Sequence, residues 1–422
     1  MIYAALCILF LFITRKDKHS VLRYLFVLLL ASVIAAFLSG RLQEEPIEHI
    51  GYELYMAIVL CILFSAWRPY SNVQGANFSD IQQKRLNALE PKIMWLNVFV
   101  FVLDLYIFIN VFSMLAVGLI TVAEHKNEGG AAEVFATLVP KIMITLSNFL
   151  NPFAMLSLVF HFYFLIKRNI KKSLLHLFLS FGSVLSGLMA LSRANLINYI
   201  LTYVGIYFFL SVLFPSRLVK KVKIVMLMIF ALIAFVFMSL TTSRFGEYEN
   251  EHKEAIVDAR KYPEVLSMLN YYSQWINAAP IILEKYKPEY KSWGMYNSFG
   301  LGVNIQRVLY GTDAANVKIE EKIDKVLGSD ASAFHGVVAR CVYDFGYIGT
   351  VVFILIHCYL IRKFGPRGGI VSFKTILSIP ILLMFCVGFF SGNVYSSLSV
   401  DLSIIYMWVF YFLIKNKRKV IA

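Results

Sequence analysis

Eleven apolar stretches divide this 422-residue chain, and clusters of Lys and Arg fall in every second gap between them. The gaps beginning near Arg15, Arg68, Lys167, Arg217 and Arg362, and the tail from Lys415, hold four bases each, which is 24 of the 40. Only three acids, Asp17, Asp80 and Glu90, accompany them. Apolar runs of about 18 or more residues read as bilayer-spanning helices, and basic loops stay cytoplasmic. The spacing predicts spans near 2–14, 22–39, 50–67, 93–112, 141–166, 173–191, 194–214, 222–241, 337–361, 373–391 and 399–414. Alternation then puts the N-terminus outside, the C-terminus inside and the segment 242–336 outside. The expected fold is an all-α, polytopic integral membrane protein with about 11 transmembrane helices.

Composition agrees. A chain that is 59% hydrophobic and 16% charged is too apolar for a soluble domain. The net charge of +14 invites a nucleic-acid reading, but its distribution argues against one. The cytoplasmic gaps carry 24 bases and three acids, or +21, and the remaining 16 bases and 23 acids sum to −7. The charge is therefore topogenic, and no nucleic acid is expected. Cys7, Cys61, Cys358 and Cys386 lie in spans and Cys341 lies where the chain re-enters the membrane, so no pair offers a disulfide or a metal-ligand spacing. No metal and no cofactor are expected. A signal peptide is the rival for the short first span. It fails on the missing basic n-region, the basic cluster that follows and the lack of an A-x-A-like cleavage site.

The spans show no internal repeat, which weakens a repeat-built transporter. Three regions result: 1–241 with spans one to eight, the loop 242–336, and 337–422 with the last three spans and a basic tail. Ser113–Pro140, with Gly129-Gly130 at its centre, reads as an interfacial helix, a turn and a return. The loop has nearly balanced charge and reads as short helices lying over the membrane mouth. Its aromatics include Tyr271, Tyr272 and Trp275 before Pro280, then Tyr290 and Trp293 in a Gly-rich run.

Absences narrow the chemistry. The longest cytoplasmic gap, Arg68–Lys92, is about 25 residues, too short for a nucleotide-binding domain. Neither G-x-x-x-x-G-K-[ST] nor G-x-G-x-x-G occurs in a strand-to-helix context. Any reaction must draw on an activated substrate delivered within the bilayer, and lipid diphosphates are the obvious class.

Arginines placed outside run against the topogenic bias. Arg193 sits in the tight turn Leu191-Ser192-Arg193-Ala194-Asn195, and Arg244 directly follows the eighth span; Arg307 and Arg340 are further candidates. A guanidinium fork suits phosphate oxygens, whereas snorkelling to headgroups is the competing reading. His335, where the loop turns into the ninth span, offers a proton acceptor; a partnerless loop histidine is the alternative. Arg340 and Asp344 stand four apart, a spacing that favours a local ion pair. His161, His176 and His357 lie near cytoplasmic ends and read as packing residues. The intramembrane acids Asp104 and Asp401 are site candidates by position. Asp104 has polar neighbours on its own helix, Asn97 among them, and Asp401 is expected to be hydrated. Ser183, Ser186, Gly187 and Ala190 form a small-residue stripe suited to close helix packing.

On these residues the chain resembles the bacterial O-antigen or oligosaccharide repeat-unit polymerases (Wzy-type), which are similar in outline to the O-antigen ligases. The resemblance covers the whole chain as architecture: many spans, a long loop two-thirds along, and paired outer arginines. Its most specific local piece is Phe334-His335-Gly336 leading through Arg340, Tyr343 and Asp344 to Gly346 and Gly349. Two departures stand out: Gly336 replaces an Asn common in ligases, and eleven spans replace the usual twelve.

The resemblance implies a GT-C-like, metal-independent inverting glycosyltransferase of the bacterial inner membrane, with its large loop in the periplasm. Its donor and acceptor would be undecaprenyl-diphosphate-linked glycans, and a chain-length regulator protein is an implied partner. Arg193 and Arg244 would hold the donor diphosphate, His335 would take the acceptor proton, and Arg307 and Arg340 would assist binding. Tyr271, Tyr272, Trp275, Tyr290 and Trp293 would stack on sugars or pack the loop. A ligase shares this donor chemistry. A flippase or transporter needs coupling groups that the sparse intramembrane charge disfavours, and a structural or receptor role leaves the outer arginines unexplained.

Overall fold

The computed structural model describes residues 2–16, 20–40, 49–116, 139–189, 193–220, 222, 224, 262–294, 336–390 and 398–414. Apart from one two-residue strand pair, it is all-α. Among the described residues, six segments are long and apolar enough to cross a membrane: Val21–Leu38, Gln82–Asn110, Ile142–Ile166, Leu196–Leu213, Gly336–Phe364 and Phe373–Phe390. Ile2–Ile13, Ile50–Ser65 and Val400–Ile414 are shorter apolar helices. Two of the eleven expected spans remain. The stretch 173–191 is divided between two short helices, and 222–241 lies outside the described residues except at 222 and 224. So does most of Ser113–Pro140. The chain is a multi-pass helical membrane protein.

It separates into two compact units. Unit 1 is Met1–Asn72, Lys221–Lys363 and Leu382–Leu398; unit 2 is Val73–Lys220, Phe364–Ile381 and Ser399–Ala422.

In unit 1, helices α1 (Ile2–Ile13), α2 (Val21–Leu38) and α3 (Ile50–Ser65) pack together and against a longer helix from the large loop. Short helices were expected there, but Pro263–Lys285 is a single helix of 23 residues that continues through Pro280. In chain order it is α10. Its face carrying Ser273, Trp275, Ile276 and Ala279 is buried. The helix is therefore packed into the unit as a core element. Ser32 in α2 donates to the carbonyl of Tyr272 (2.6 Å) and accepts from the indole N–H of Trp275 (2.8 Å). Ser39 and Ser273 pair at 3.3 Å. Where apolar helix faces gain little from burial against each other in lipid, hydroxyl and indole bonds of this kind select the partner.

Helix α11 (Gly336–Phe364) was expected as one span. It is kinked at Gly346, whose φ of 73° and ψ of 174° are non-helical. Residues 336–344 are buried, whereas Ile348, Val352, Leu355, Ile356 and Tyr359 beyond the kink are exposed. The 18 residues after it measure about 27 Å at 1.5 Å each, enough for the hydrocarbon core. The kink frees carbonyls at the end of the first segment, and a loop segment satisfies them. Ser292 N–H donates to the carbonyl of Tyr343 (3.0 Å) and Trp293 N–H to that of Asp344 (2.9 Å). Elsewhere in the unit, Trp67 donates to Cys386 Sγ (3.2 Å) and Tyr70 to the carbonyl of Ile361 (3.1 Å).

Unit 2 is built around α4 (Asp80–Ala116), which begins inside the expected cytoplasmic gap and runs through Pro91. It has the burial pattern of a membrane helix. Glu90, Asn97 and Asp104, seven residues apart, are buried, while Trp95, Phe99, Val102 and Ile109 are exposed. In water the arrangement would be reversed.

Its partners are α5 (Lys141–Leu150), α6 (Phe153–Ile166), α7 (Ile170–Ser180) and α8 (Gly182–Met189), followed by α9 (Arg193–Leu210). The expected span 141–166 stays long and apolar enough to cross a membrane over Ile142–Ile166, with its ladder interrupted at Asn151-Pro152, whereas the expected span 173–191 is divided at Phe181. Proline lacks the N–H that would continue the ladder. The strand pair β1 (Gly75–Ala76) and β2 (Ile370–Val371) is parallel. Helices α12 (Phe373–Val387) and α13 (Leu398–Ile414) follow in the chain.

Candidate functional site

The described part of the candidate site lies where α10 and the start of α11 meet in unit 1. Gly336 follows His335 directly and has a φ of 73°, a left-handed backbone that an L side chain adopts only under strain. A Cβ there would lie 3.3 Å from the carbonyl oxygen of Phe389 and 3.4 Å from Trp275 Cε3. Glycine at this position is a requirement of backbone shape and close packing. Trp275 itself is 2% exposed. Its ring meets those of Tyr3 and Phe389 edge-on, with centroids 5.2 and 5.5 Å apart. The residue after His335 is thereby seated on a rigid aromatic floor. One turn further, Arg340 is buried, as is Asp344, whose carboxylate accepts from the Ser292 hydroxyl.

The other expected site residues divide as follows. Arg193 opens α9, but its side chain lies outside the described residues, as do Arg244, Arg307 and His335 entirely. Of the five aromatics, Tyr271 and Trp275 are buried, and Tyr272 is half-buried and stacked on Phe390 with centroids 4.5 Å apart. Trp275 has both its ring edge and its N–H committed to packing. Tyr290 is half-buried. Trp293 is 73% exposed, held at a φ of 57° by its bond to Asp344, with Lys291 Nζ 3.8 Å from its ring centroid. Trp293 is the exposed one of the five.

Unit 2 holds polar ties that residue spacing alone only hinted at. Asp104, fully buried, accepts from Ser147 Oγ (2.5 Å) and Asn151 Nδ2 (2.7 Å), and Asn151 also donates to the carbonyl of Gly182 (2.9 Å). Its partners thus come from the last turn of α5 and from Asn151 just after it, whereas Asn97 donates to Ser157 (2.8 Å). Glu90 is met by Lys172 (2.7 Å) and by His176 Nε2 (3.1 Å). His161 lies 3.0 Å from the Tyr203 hydroxyl; in unit 1, His357 packs on Phe385 with centroids 4.1 Å apart. Asp401, expected to be hydrated, is buried. Among the described residues no group of His, Cys, Asp and Glu could hold a metal ion.

No protein-family model, curated protein or solved structure matches the chain. What sequence and structure establish together is its class, a multi-pass helical membrane protein.

Proposed function

We propose that this chain polymerises undecaprenyl-diphosphate-linked oligosaccharide repeat units on the periplasmic face of a bacterial inner membrane, as a GT-C-like, metal-independent inverting glycosyltransferase. The observation that carries the reading is the Gly336 seat. A general base must come within hydrogen-bond reach of the proton it takes, and Gly336, the residue after His335, packs closely against Phe389 and Trp275. The outer arginines of the charge pattern add the second element.

In the proposed reaction a sugar hydroxyl of the acceptor attacks the anomeric carbon of the donor. The carbon–oxygen bond to the diphosphate breaks with inversion, and undecaprenyl diphosphate leaves. His335 takes the hydroxyl proton. Arg193 and Arg244 neutralise the charge that grows on the leaving group, where bidentate guanidinium contacts are strongest. Arg307 and Arg340 are assigned to binding, with Trp293 as a sugar platform. A chain-length regulator is the proposed protein partner.

Gel analysis of surface polysaccharide from a deletion strain tests the reading. A polymerase mutant retains a single capped repeat unit on lipid A, whereas a ligase mutant loses lipid A-linked O-antigen altogether. Polymer of normal length in the deletion strain would overturn both. In vitro, His335→Ala should slow polymer formation by about 10²–10⁴-fold, and a well-folded variant with full activity removes the histidine from the mechanism.

A further inference from the structure

One polar pair in unit 1 has no part in the reaction above, and its members are far apart in the chain. His49, at the start of α3, is 8% exposed, and its Nδ1 has no hydrogen-bond partner among the described residues. Glu284, near the end of α10, brings Oε2 to 3.8 Å from that nitrogen, and its side chain is 53% exposed. The separation is too long for a direct hydrogen bond. An oxygen placed about 2.8 Å from both atoms closes the triangle. A hydroxyl there gives its proton to the carboxylate and accepts from the imidazole N–H.

We infer that His49 and Glu284 form a hydroxyl-recognition subsite for the acceptor glycan; the inference rests on the polymerase reading and its orientation. Water could fill the triangle alone, so the surroundings decide the ligand class. Tyr52 lies with its ring centroid 6.4 Å from that of His49. Tyr286 and Tyr347 meet edge-on at 5.7 Å, and Tyr347 meets Tyr55 at 5.2 Å. All four rings are half-buried, so each keeps a part open. Two are fixed by their own hydroxyls: Tyr347 donates to the carbonyl of Leu283 (2.7 Å) and Tyr55 to that of Tyr347 (2.8 Å).

Rigid aromatic walls beside one donor and one open carboxylate match a ligand with an apolar ring face and hydroxyls along its edge. The carboxylate also excludes the wrong end of the substrate. A diphosphate would meet Glu284 as a like charge, so the subsite takes the neutral glycan portion.

The test uses the full chain in lipid nanodiscs. The probe is the repeat oligosaccharide, cleaved by mild acid from the lipid-linked pool of the deletion strain and followed by saturation-transfer NMR. Wild type should bind it, and Glu284→Gln and His49→Gln should each raise Kd about tenfold or more, as expected for losing a hydrogen bond to a charged or buried partner. Glu284 is exposed, so its variant should fold normally. Arg244→Ala should lose polymer formation yet bind the oligosaccharide within twofold of wild type. Kd values within twofold of wild type in both pair variants mean a water-bridged structural pair and overturn the subsite. Absence of binding to wild type overturns it too, while leaving the gel phenotype, and so the polymerase reading, intact. Normal polymer in the deletion strain sinks that reading and the subsite with it.

Discussion

The indole N–H of Trp275 donates to the hydroxyl of Ser32 at 2.8 Å, tying a helix of the large loop to the second helix of the chain. Both side chains are buried, so Ser32→Ala leaves a buried donor without its acceptor, at a cost of about 1–3 kcal/mol. Ser32→Ala should therefore lower the unfolding temperature of the purified protein. Trp275→Phe removes the donor as well and keeps most of the ring, so the double variant should lose less than the sum of the two single ones. Strict additivity would show that the two groups do not interact.

Gly336→Ala places a Cβ 3.3 Å from the Phe389 carbonyl on a backbone with φ of 73°. The left-handed conformation alone costs about 1–2 kcal/mol for a side-chain-bearing residue. Stability in detergent should fall by at least that much. If His335 is the base, polymer formation should fall further than in a stability-matched control away from the seat, such as Asn97→Ala, which loses the buried bond to Ser157. Equal losses would separate the glycine from the chemistry.

Asp104 distinguishes an enzyme from a transporter. Its carboxylate is met by Ser147 and Asn151 at a helix break, and broken helices with buried acids are also how ion-coupled transporters build their sites. Asp104→Ala should destabilise the protein by about 1–3 kcal/mol by orphaning buried donors. Asp104→Asn, which conserves volume, should keep polymer formation above half of wild type. Abolished activity in a stable Asp104→Asn protein would favour the transporter.

Orientation is open to direct labelling. Trp293 is 73% exposed, and Cys7, Cys341, Cys358 and Cys386 are buried, with Cys61 half-buried. Trp293→Cys should react with a membrane-impermeant maleimide added outside intact spheroplasts. Reaction only after lysis would put the large loop in the cytosol and end the proposed enzyme.

Arg193→Lys and Arg244→Lys keep the charge and lose the planar fork. Each should reduce polymer formation, and Arg244→Ala should remove about 2.7–4 kcal/mol of transition-state stabilisation, the scale seen for one oxyanion donor. The readout is initial rate on purified lipid-linked repeats. Full activity of both Lys variants would mark the arginines as headgroup anchors.

Hydropathy and charge alone determined the class, the positions of most spans and the expected orientation, because the bilayer acts on each helix separately. A run such as Val21–Leu38 is apolar whatever packs beside it, and a loop such as Lys167–Lys172 is basic whatever follows it. The aromatic character of 271–275 was also plain from the residues. Its use was not: Trp275 turned inward because Ser32, some 240 residues away, offers an acceptor, while Trp293 stayed outside. Pro152 marks the interruption inside 141–166 already in the sequence, whereas tertiary structure alone decided the division at Phe181, the kink at Gly346 and the partners of Asp104. Each depends on which buried donor meets which acceptor across two helices. That pairing follows from helix crossings set by the whole chain, and hydrogen bonds a few ångströms long carry no signature in linear spacing.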